Sequence, residues 1–144
     1  MGRMMAGLIL AVALLASGGS ANAGFLIDSA TALAGVRAGG IILLDVRSPG
    51  EWRRTGVPLG AKTVTIHDPN GMAGFVAAVS RIVGGRKDQP IALICARGGR
   101  SSRAMDVLRA AGFSNLSNLR EGMLGNATDG PGWLGRKLPV EKFR

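Results

Sequence analysis

Cysteine, aromatic residues and acidic residues are scarce in this chain of 144 residues. Its one cysteine, Cys95, excludes an internal disulfide and is therefore an inert buried residue, half of an intermolecular disulfide or a free reactive thiol. Tyrosine is absent, and four phenylalanines and two tryptophans offer no evident platform on which nucleic-acid bases would stack. We therefore expect no nucleic-acid partner.

Basic residues outnumber acidic ones by 18 to 9, which gives a formal net charge of +9. These basic residues are spread through the chain rather than gathered in one block. Such a charge suits small anions or acidic protein surfaces as partners, although a solvated surface accounts for it equally well.

The first residues have the pattern of a secretory signal peptide. Arg3 precedes an uncharged apolar run of about a dozen residues, which is shorter than the roughly 20 that a membrane-spanning helix needs. Ala21-Asn22-Ala23 has the A-x-A form of a cleavage site. We predict a signal peptide over 1–23, one domain over 24–144, and a periplasmic or secreted protein without stable membrane insertion. An uncleaved membrane anchor is the alternative.

Alternating strand-like and helix-like segments predict an α/β domain with a mostly parallel sheet and right-handed crossovers. Short apolar runs indicate buried strands, and apolar residues at helical spacing indicate helices. The predicted strands cover 41–44, 62–66, 91–94 and 115–119. The predicted helices cover 28–37, a short turn from Ser48, 74–83 and 101–111, and the stretch 122–144 is predicted to be loop-rich.

Two of the predicted strands end next to chemically active side chains. Asp45 and Arg47 follow one strand, and Cys95 follows the strand over 91–94. Because ligands bind at the C-terminal ends of strands in such sheets, we expect these residues to lie close together at one ligand-binding edge of the sheet. Asp45 and Arg47 are predicted to support the end of their strand rather than to react.

The segment 95–101 combines the thiol with groups that stabilise negative charge. Gly98 and Gly99 allow backbone N–H groups to turn toward the sulfur, and the following helix adds the positive end of its dipole. Arg97 and Arg100 add two cations. Since an unassisted cysteine thiol is mostly protonated at neutral pH, a reactive thiolate requires donors of this kind.

Several segments together resemble the single-domain rhodanese-like sulfurtransferases. They are Leu43 to Trp52, which carries the run Asp-Val-Arg-Ser-Pro-Gly-Glu-Trp, then Gly60-Ala61, Cys95 to Ser101, Ala110 to Phe113, and Glu121 to Gly125. One feature departs from the family pattern. Many relatives carry a histidine ahead of the Gly-Ala pair, whereas this chain has Gly56-Val57-Pro58, and we assign no role to His67.

The resemblance implies a doubly wound sheet of about five parallel strands flanked by helices, with Cys95 accepting the transferred sulfur as a persulfide. It implies a small anionic donor such as thiosulfate, an acceptor that is cyanide, a thiol or a protein, and no metal or cofactor. The residues expected to surround the substrate are Ala96, Arg97, Gly98, Gly99, Arg100 and Ser101. We expect Arg97 to contact the donor, and Arg100 to fold back onto an acidic partner and brace the loop.

Two other functions are compatible with the sequence. Cysteine-based phosphatases and arsenate reductases also hold a thiolate in an anion-binding loop, but five residues separate their cysteine from the arginine, whereas four separate Cys95 from Arg100. The smaller ring favours a sulfur atom over a tetrahedral phosphate, and neither Asp68 nor Asp129 has a motif typical of a general acid. The other alternative is a relay that passes the persulfide to a partner protein without significant thiosulfate turnover.

Overall fold

The computed structural model describes residues 25–144, so the predicted signal peptide over 1–23 lies outside the described residues. The elements in chain order are β1 (Phe25–Leu26), α1 (Ser29–Arg37), β2 (Ile42–Asp45), α2 (Pro49–Thr55), β3 (Val57–Pro58), β4 (Lys62–Thr63), α3 (Gly71–Ile82), β5 (Ile91–Ile94), α4 (Gly99–Ala110), β6 (Leu116–Asn118), α5 (Gly132–Gly135) and β7 (Val140–Glu141). Among these elements no helix is long and apolar enough to cross a membrane.

Five parallel strands form the main sheet in the order β1-β6-β5-β2-β4. This arrangement confirms the predicted doubly wound architecture. Strands β2 and β5 lie near the centre, where their apolar residues are shielded from water on both faces. Asp45 pairs with Ile94, and the N–H of Val46 donates to the Ile94 carbonyl at 2.9 Å. The C-terminal ends of the two strands therefore lie side by side.

Helices cover both faces of the sheet and enclose two apolar clusters. On one face, α3 and α4 pack Phe75 and Leu108 into the cluster that contains Leu44. On the other face, α1 and Trp133 of α5 share a cluster with Leu43. Leu43 and Leu44 enter opposite clusters because successive side chains of a strand point to opposite faces.

Side-chain caps set the first turns of α1 and α2. Asp28 accepts the N–H of Thr31 at 2.7 Å and so caps α1. At the start of α2, Ser48 Oγ accepts the N–H of Glu51 at 3.4 Å, and Glu51 Oε2 accepts the N–H of Ser48 at 3.0 Å. This capping box fixes the position of the Glu51 carboxylate.

Some predicted boundaries were wrong by a few residues. Helix α3 begins at Gly71 rather than at residue 74, and the strand predicted over 62–66 is β4, which covers only Lys62–Thr63. Beyond β4 the chain still follows β2, because the N–H groups of Val64 and Ile66 donate to the carbonyls of Asp45 and Val46 at 3.1 Å. The sequence therefore predicted that this segment runs as an extended chain but overestimated the length of the regular strand.

The C-terminal stretch is more ordered than the loop-rich prediction. Trp133 of α5 is fully buried, and its Nε1–H donates to the Pro139 carbonyl at 2.9 Å. Strand β7 pairs antiparallel with β3, with Val57 opposite Glu141. Elements of two to four residues are too short to show a periodic pattern, and the partner of β7 lies far away in the sequence.

The buried side chain of Glu121 joins the two ends of the domain. Its carboxylate accepts the N–H of Ser29 at 2.9 Å, the N–H of Gly132 at 3.0 Å and the Nε–H of Arg136 at 3.0 Å. Burial alone would raise the pKa of Glu121, but the hydrogen bonds outweigh burial and lower this pKa. The carboxylate therefore stays ionised and holds α1 against the C-terminal segment.

Candidate active site

Cys95 lies immediately after the last residue of β5, at the point where the chain turns toward α4. The residue is almost fully buried, with 1% of its surface exposed. Its sulfur accepts the N–H of Gly98 at 3.1 Å and lies 3.4 Å from the hydroxyl oxygen of Ser101. The Ser101 hydroxyl also lies within 3.2 Å of the Gly98 carbonyl. The segment 95–101 therefore folds back over the thiol, and we call it the cysteine loop.

The two glycines of the cysteine loop have different roles, although the sequence suggested the same role for both. Gly98 has a φ of +97°, and a Cβ atom there would collide with the carbonyl oxygen of Arg120. Gly99 is the first residue of α4, and a Cβ atom there would meet open space. Gly98 alone therefore needs to be glycine for the N–H group to face the sulfur.

A second segment, 120–125, packs against the cysteine loop and is hydrogen-bonded to its backbone. The N–H of Met123 donates to the Cys95 carbonyl at 2.9 Å, and the N–H of Leu124 donates to the Ala96 carbonyl at 2.9 Å. Gly122, with a φ of +65°, lies so close to Ala96 that a side chain would collide with its backbone. The shape of the loop thus depends on residues well beyond it in the sequence.

Arg97 is exposed at the surface of the cysteine loop. Its Nη1 donates to the Gly125 carbonyl at 3.0 Å, which orients the side chain over the segment 120–125. An arginine has five N–H donors, so the guanidinium keeps donors for an anion in solution. This placement is compatible with the predicted contact between Arg97 and the donor.

Arg100 is partly buried and binds Glu51 of α2. Its Nη1 donates to Glu51 Oε2 at 2.7 Å, and its Nη2 donates to Glu51 Oε1 at 2.6 Å. The hydrogen bond to Arg100 is the main reason that the pKa of Glu51 is far below its usual range, and burial opposes it. The same bond raises the pKa of Arg100. The acidic partner expected for Arg100 is therefore Glu51.

Asp45 and Arg47 form a buried ion pair at the end of β2. Arg47 Nη2 lies 2.6 Å from Asp45 Oδ2, and its Nε donates to Asp45 Oδ1 at 2.9 Å. The remaining Arg47 donors bind the hydroxyl of Thr55 at 2.8 Å and the carbonyl of Gly56 at 2.9 Å. All of these contacts are internal, so the pair fastens the end of α2 to the sheet beside Cys95, in agreement with a supporting role.

Comparison with known proteins identifies the family. The family model described as the rhodanese-like domain matches residues 28–127. The chain belongs to this family. The match covers the whole main sheet after β1 and the entire cysteine loop, and it ends before α5. No curated protein sequence matches the chain significantly.

Solved structures of similar fold include Rv0390 from M. tuberculosis, which is 27% identical with a TM-score of 0.65 over 85% of this chain and 99% of that one. The polysulfide-sulfur transferase homodimer of Wolinella succinogenes is 21% identical, with a TM-score of 0.59 over 82% and 78% of the two chains. A Rhodopseudomonas palustris protein described as a possible tyrosine phosphatase is 22% identical, with a TM-score of 0.58 over 85% and 86%. The likeness to the last two shows a common fold.

Sequence reasoning missed two parts of this rhodanese-like site. Glu51 was not among the expected site residues, although Ser48 three positions earlier forms the S-x-x-E pattern of a capping box, which fixes the start of the helix. The segment 120–125 was noted only as part of the family pattern, and Gly122 was the available signal of a close backbone approach.

Three other polar residues take no part in the site. His67 is exposed, Asp68 Oδ1 caps the N–H of Asn70 at 2.8 Å, and Asp129 lies 3.6 Å from Arg120. Within residues 25–144, none of the three side chains bonds to the cysteine loop.

Proposed function

We propose that this rhodanese-like protein transfers sulfane sulfur from an anionic donor such as thiosulfate to a thiophilic acceptor through a Cys95 persulfide. The observation that carries the proposal is the setting of the single thiol. Its sulfur accepts the Gly98 N–H and faces the Ser101 hydroxyl, inside a loop whose outer side bears Arg97. Each of these groups favours an anion at or near the sulfur.

In the first half of the reaction the Cys95 thiolate attacks the outer sulfur of thiosulfate. A new S–S bond forms on Cys95, the S–S bond of thiosulfate breaks, and sulfite leaves with the electron pair. In the second half, cyanide or a thiolate attacks the outer sulfur of the persulfide. The Cys95 thiolate then leaves with its electrons, and the product is thiocyanate or a new persulfide.

The residues around Cys95 have different roles in this reaction. The Gly98 N–H and the Ser101 hydroxyl donate to the Cys95 sulfur when it is ionised, and the start of α4 contributes the positive end of its dipole. Arg97 attracts the anionic donor. Arg100 is occupied by Glu51 and keeps the loop in shape, which makes it a positioning residue.

The test is mass spectrometry of the protein after exposure to thiosulfate, followed by cyanide. We expect one added sulfur atom on the peptide that contains Cys95, removed by cyanide with formation of thiocyanate. The matched control is Cys95→Ser, which is nearly isosteric but cannot form a persulfide. Thiocyanate production that survives in Cys95→Ser would refute the proposal.

The rival functions are tested with other substrates. Because a structural neighbour is described as a possible tyrosine phosphatase, an aryl phosphate is assayed in parallel, and we expect negligible turnover from the four-residue spacing in the loop. Polysulfide is compared with thiosulfate as donor because another neighbour is a polysulfide-sulfur transferase. Loading from polysulfide without turnover of thiosulfate would favour the relay over the thiosulfate reaction.

We also propose that the protein acts in the periplasm or outside the cell after cleavage behind Ala23. The support is the apolar run and the A-x-A pattern of residues 1–23. Sequencing the N-terminus of protein from the native host is expected to give Gly24 as the first residue. An intact Met1 in the membrane fraction would show an anchor instead.

A further inference from the structure

A groove of about 470 Å³ lies between the C-terminal half of α2 and the last residues of the chain. We call it the basic groove, and the residues that matter here are Arg53, Arg54, Gly56, Val140, Glu141 and Lys142. Its size is within the usual range of ligand-binding clefts. Cys95 does not line it, so it is separate from the proposed reaction site.

The charge of the basic groove is mainly positive and uncompensated. Arg53, Arg54 and Lys142 line the groove together with a single carboxylate side chain, that of Glu141. In the part of the chain from 25 to 144, none of the three cations forms an ion pair or a side-chain hydrogen bond. The other groups that bear on this site are Arg47 and Asp45, which neutralise each other beneath the groove.

The lining of the basic groove also includes an exposed apolar side chain. Val140 is 42% exposed although it belongs to a strand, and Phe143 packs against Trp52 in a tilted arrangement with ring centroids 5.0 Å apart. A small inorganic anion would gain nothing from Val140. A ligand that combines carboxylates with an apolar group would use both parts of the lining.

The floor of the basic groove is held rigidly. Gly56 has a φ of +75°, and a Cβ atom there would lie 2.7 Å from the Glu141 carbonyl. Arg47 binds Gly56 and Thr55 from the interior. The groove is therefore formed before any ligand arrives, which reduces the entropy lost on binding.

We propose that the basic groove binds an acidic segment of a partner protein, with carboxylates against Arg53, Arg54 and Lys142 and an apolar side chain against Val140. Arg53 and Arg54 lie on α2 and Lys142 follows β7, so the cations line the groove from two separate elements, which suits an extended acidic segment. The proposal goes beyond the sulfur-transfer reaction and does not depend on it, because binding requires no sulfur donor.

The experiment measures fluorescence anisotropy of a labelled peptide in which glutamates flank one leucine. We expect saturable binding at low salt, about tenfold weaker in the double variant Arg53→Glu/Arg54→Glu, and weaker for all forms as salt screens the charges. Glu141→Gln is expected to tighten binding about threefold because it removes the one opposing carboxylate. Persulfide loading is expected to stay unchanged in both variants, which separates peptide binding from the proposed reaction. Thermal unfolding of Arg53→Glu/Arg54→Glu is expected to shift no more than that of the control variant below, because both place glutamates in the last turns of helices.

The matched control is Arg37→Glu/Arg81→Glu. These two exposed arginines also lie in the last turns of helices, so the variant changes the net charge and the helix ends equally but leaves the groove intact. The proposal is overturned if this control weakens binding as much as the groove variant does, which would indicate attraction to overall charge. It is also overturned if free glutamate at the same carboxylate concentration displaces the peptide, since the groove would then be a small-anion site.

Discussion

Arg100 and Glu51 form a bidentate ion pair that connects the cysteine loop to the first turn of α2, with both N···O distances between 2.6 and 2.7 Å. Glu51 is itself held by the Ser48 N–H and hydroxyl at 3.0 and 2.8 Å. The position of the loop therefore depends on a helix cap that lies 49 residues away in sequence from Arg100. Arg97, three residues before Arg100, has no acidic partner within 25–144 and faces solvent.

Removing the two arginines is expected to have different effects. Arg100→Ala leaves the Glu51 carboxylate without its partner, so activity should fall with every sulfur donor and the free energy of unfolding should drop by about 1–2 kcal/mol for this partly buried pair. Arg97→Ala should raise the KM for thiosulfate about tenfold and leave the free energy of unfolding nearly unchanged. Steady-state kinetics and urea unfolding of both variants test this. Equal, purely kinetic effects would contradict the division of roles.

The contribution of Glu51 to stability should depend on pH. Its pKa is lowered in the folded protein from an ordinary value of 4.5, so its stabilising effect is complete above about pH 5 and is lost as the pH falls below this value. Glu51→Gln does not titrate and serves as the reference. We expect the difference in unfolding free energy between the two proteins to be greatest near pH 7 and to shrink steadily toward pH 3, as measured by urea unfolding. A difference that is independent of pH would refute this linkage.

Gly98 and Gly99 form a matched pair for testing the loop backbone. Gly98→Ala places a methyl group against the Arg120 carbonyl at a positive φ, so we expect a loss of about 2–4 kcal/mol in stability or a failure to accept sulfur. Gly99→Ala, in open space at the start of α4, should be neutral or slightly stabilising. Thermal unfolding and persulfide loading are the measurements. A tolerated Gly98→Ala would show that the loop can adopt another path.

Comparing variants of Ser101 and its neighbour Ser102 distinguishes an effect on the reaction from an effect on the stability of the loop. Ser101→Ala removes the hydroxyl beside the sulfur, and persulfide formation should slow about tenfold, equivalent to about 1.4 kcal/mol. Ser102→Ala removes the acceptor that Asn118 Nδ2 binds at 2.7 Å and the hydroxyl that donates to the Gly98 carbonyl at 2.8 Å, which should cost about 1–3 kcal/mol of stability. Because the Ser102 hydroxyl does not bond to the sulfur, persulfide formation should slow less than in Ser101→Ala. Stopped-flow loading with thiosulfate distinguishes them. Equal slowing in both variants would assign the effect of Ser101 to loop structure.

The sequence predicted those helices and strands whose apolar pattern lies within a single segment of the chain. The strand over 91–94 was predicted because a strand that is buried on both faces has a continuous apolar run in the sequence. The helix before Gly112 was predicted because its buried residues recur at helical spacing. Strand β7 and helix α5 were not found, because each gains its stability from partners elsewhere, such as the β3 ladder and the apolar pocket around Trp133.

The sequence by itself determined the candidate nucleophile, since only one cysteine exists and it follows a buried strand at the edge where such sheets bind ligands. It also determined that two arginines and two glycines lie in the same loop as that thiol. The tertiary structure decided how these groups are used: Arg100 is bound by Glu51, Arg97 stays at the surface, and Gly98 is fixed by the carbonyl of Arg120. The reason is physical, because the energy of an ion pair or a close backbone contact depends on distance in space, and the folded sheet brings together residues that the chain keeps far apart.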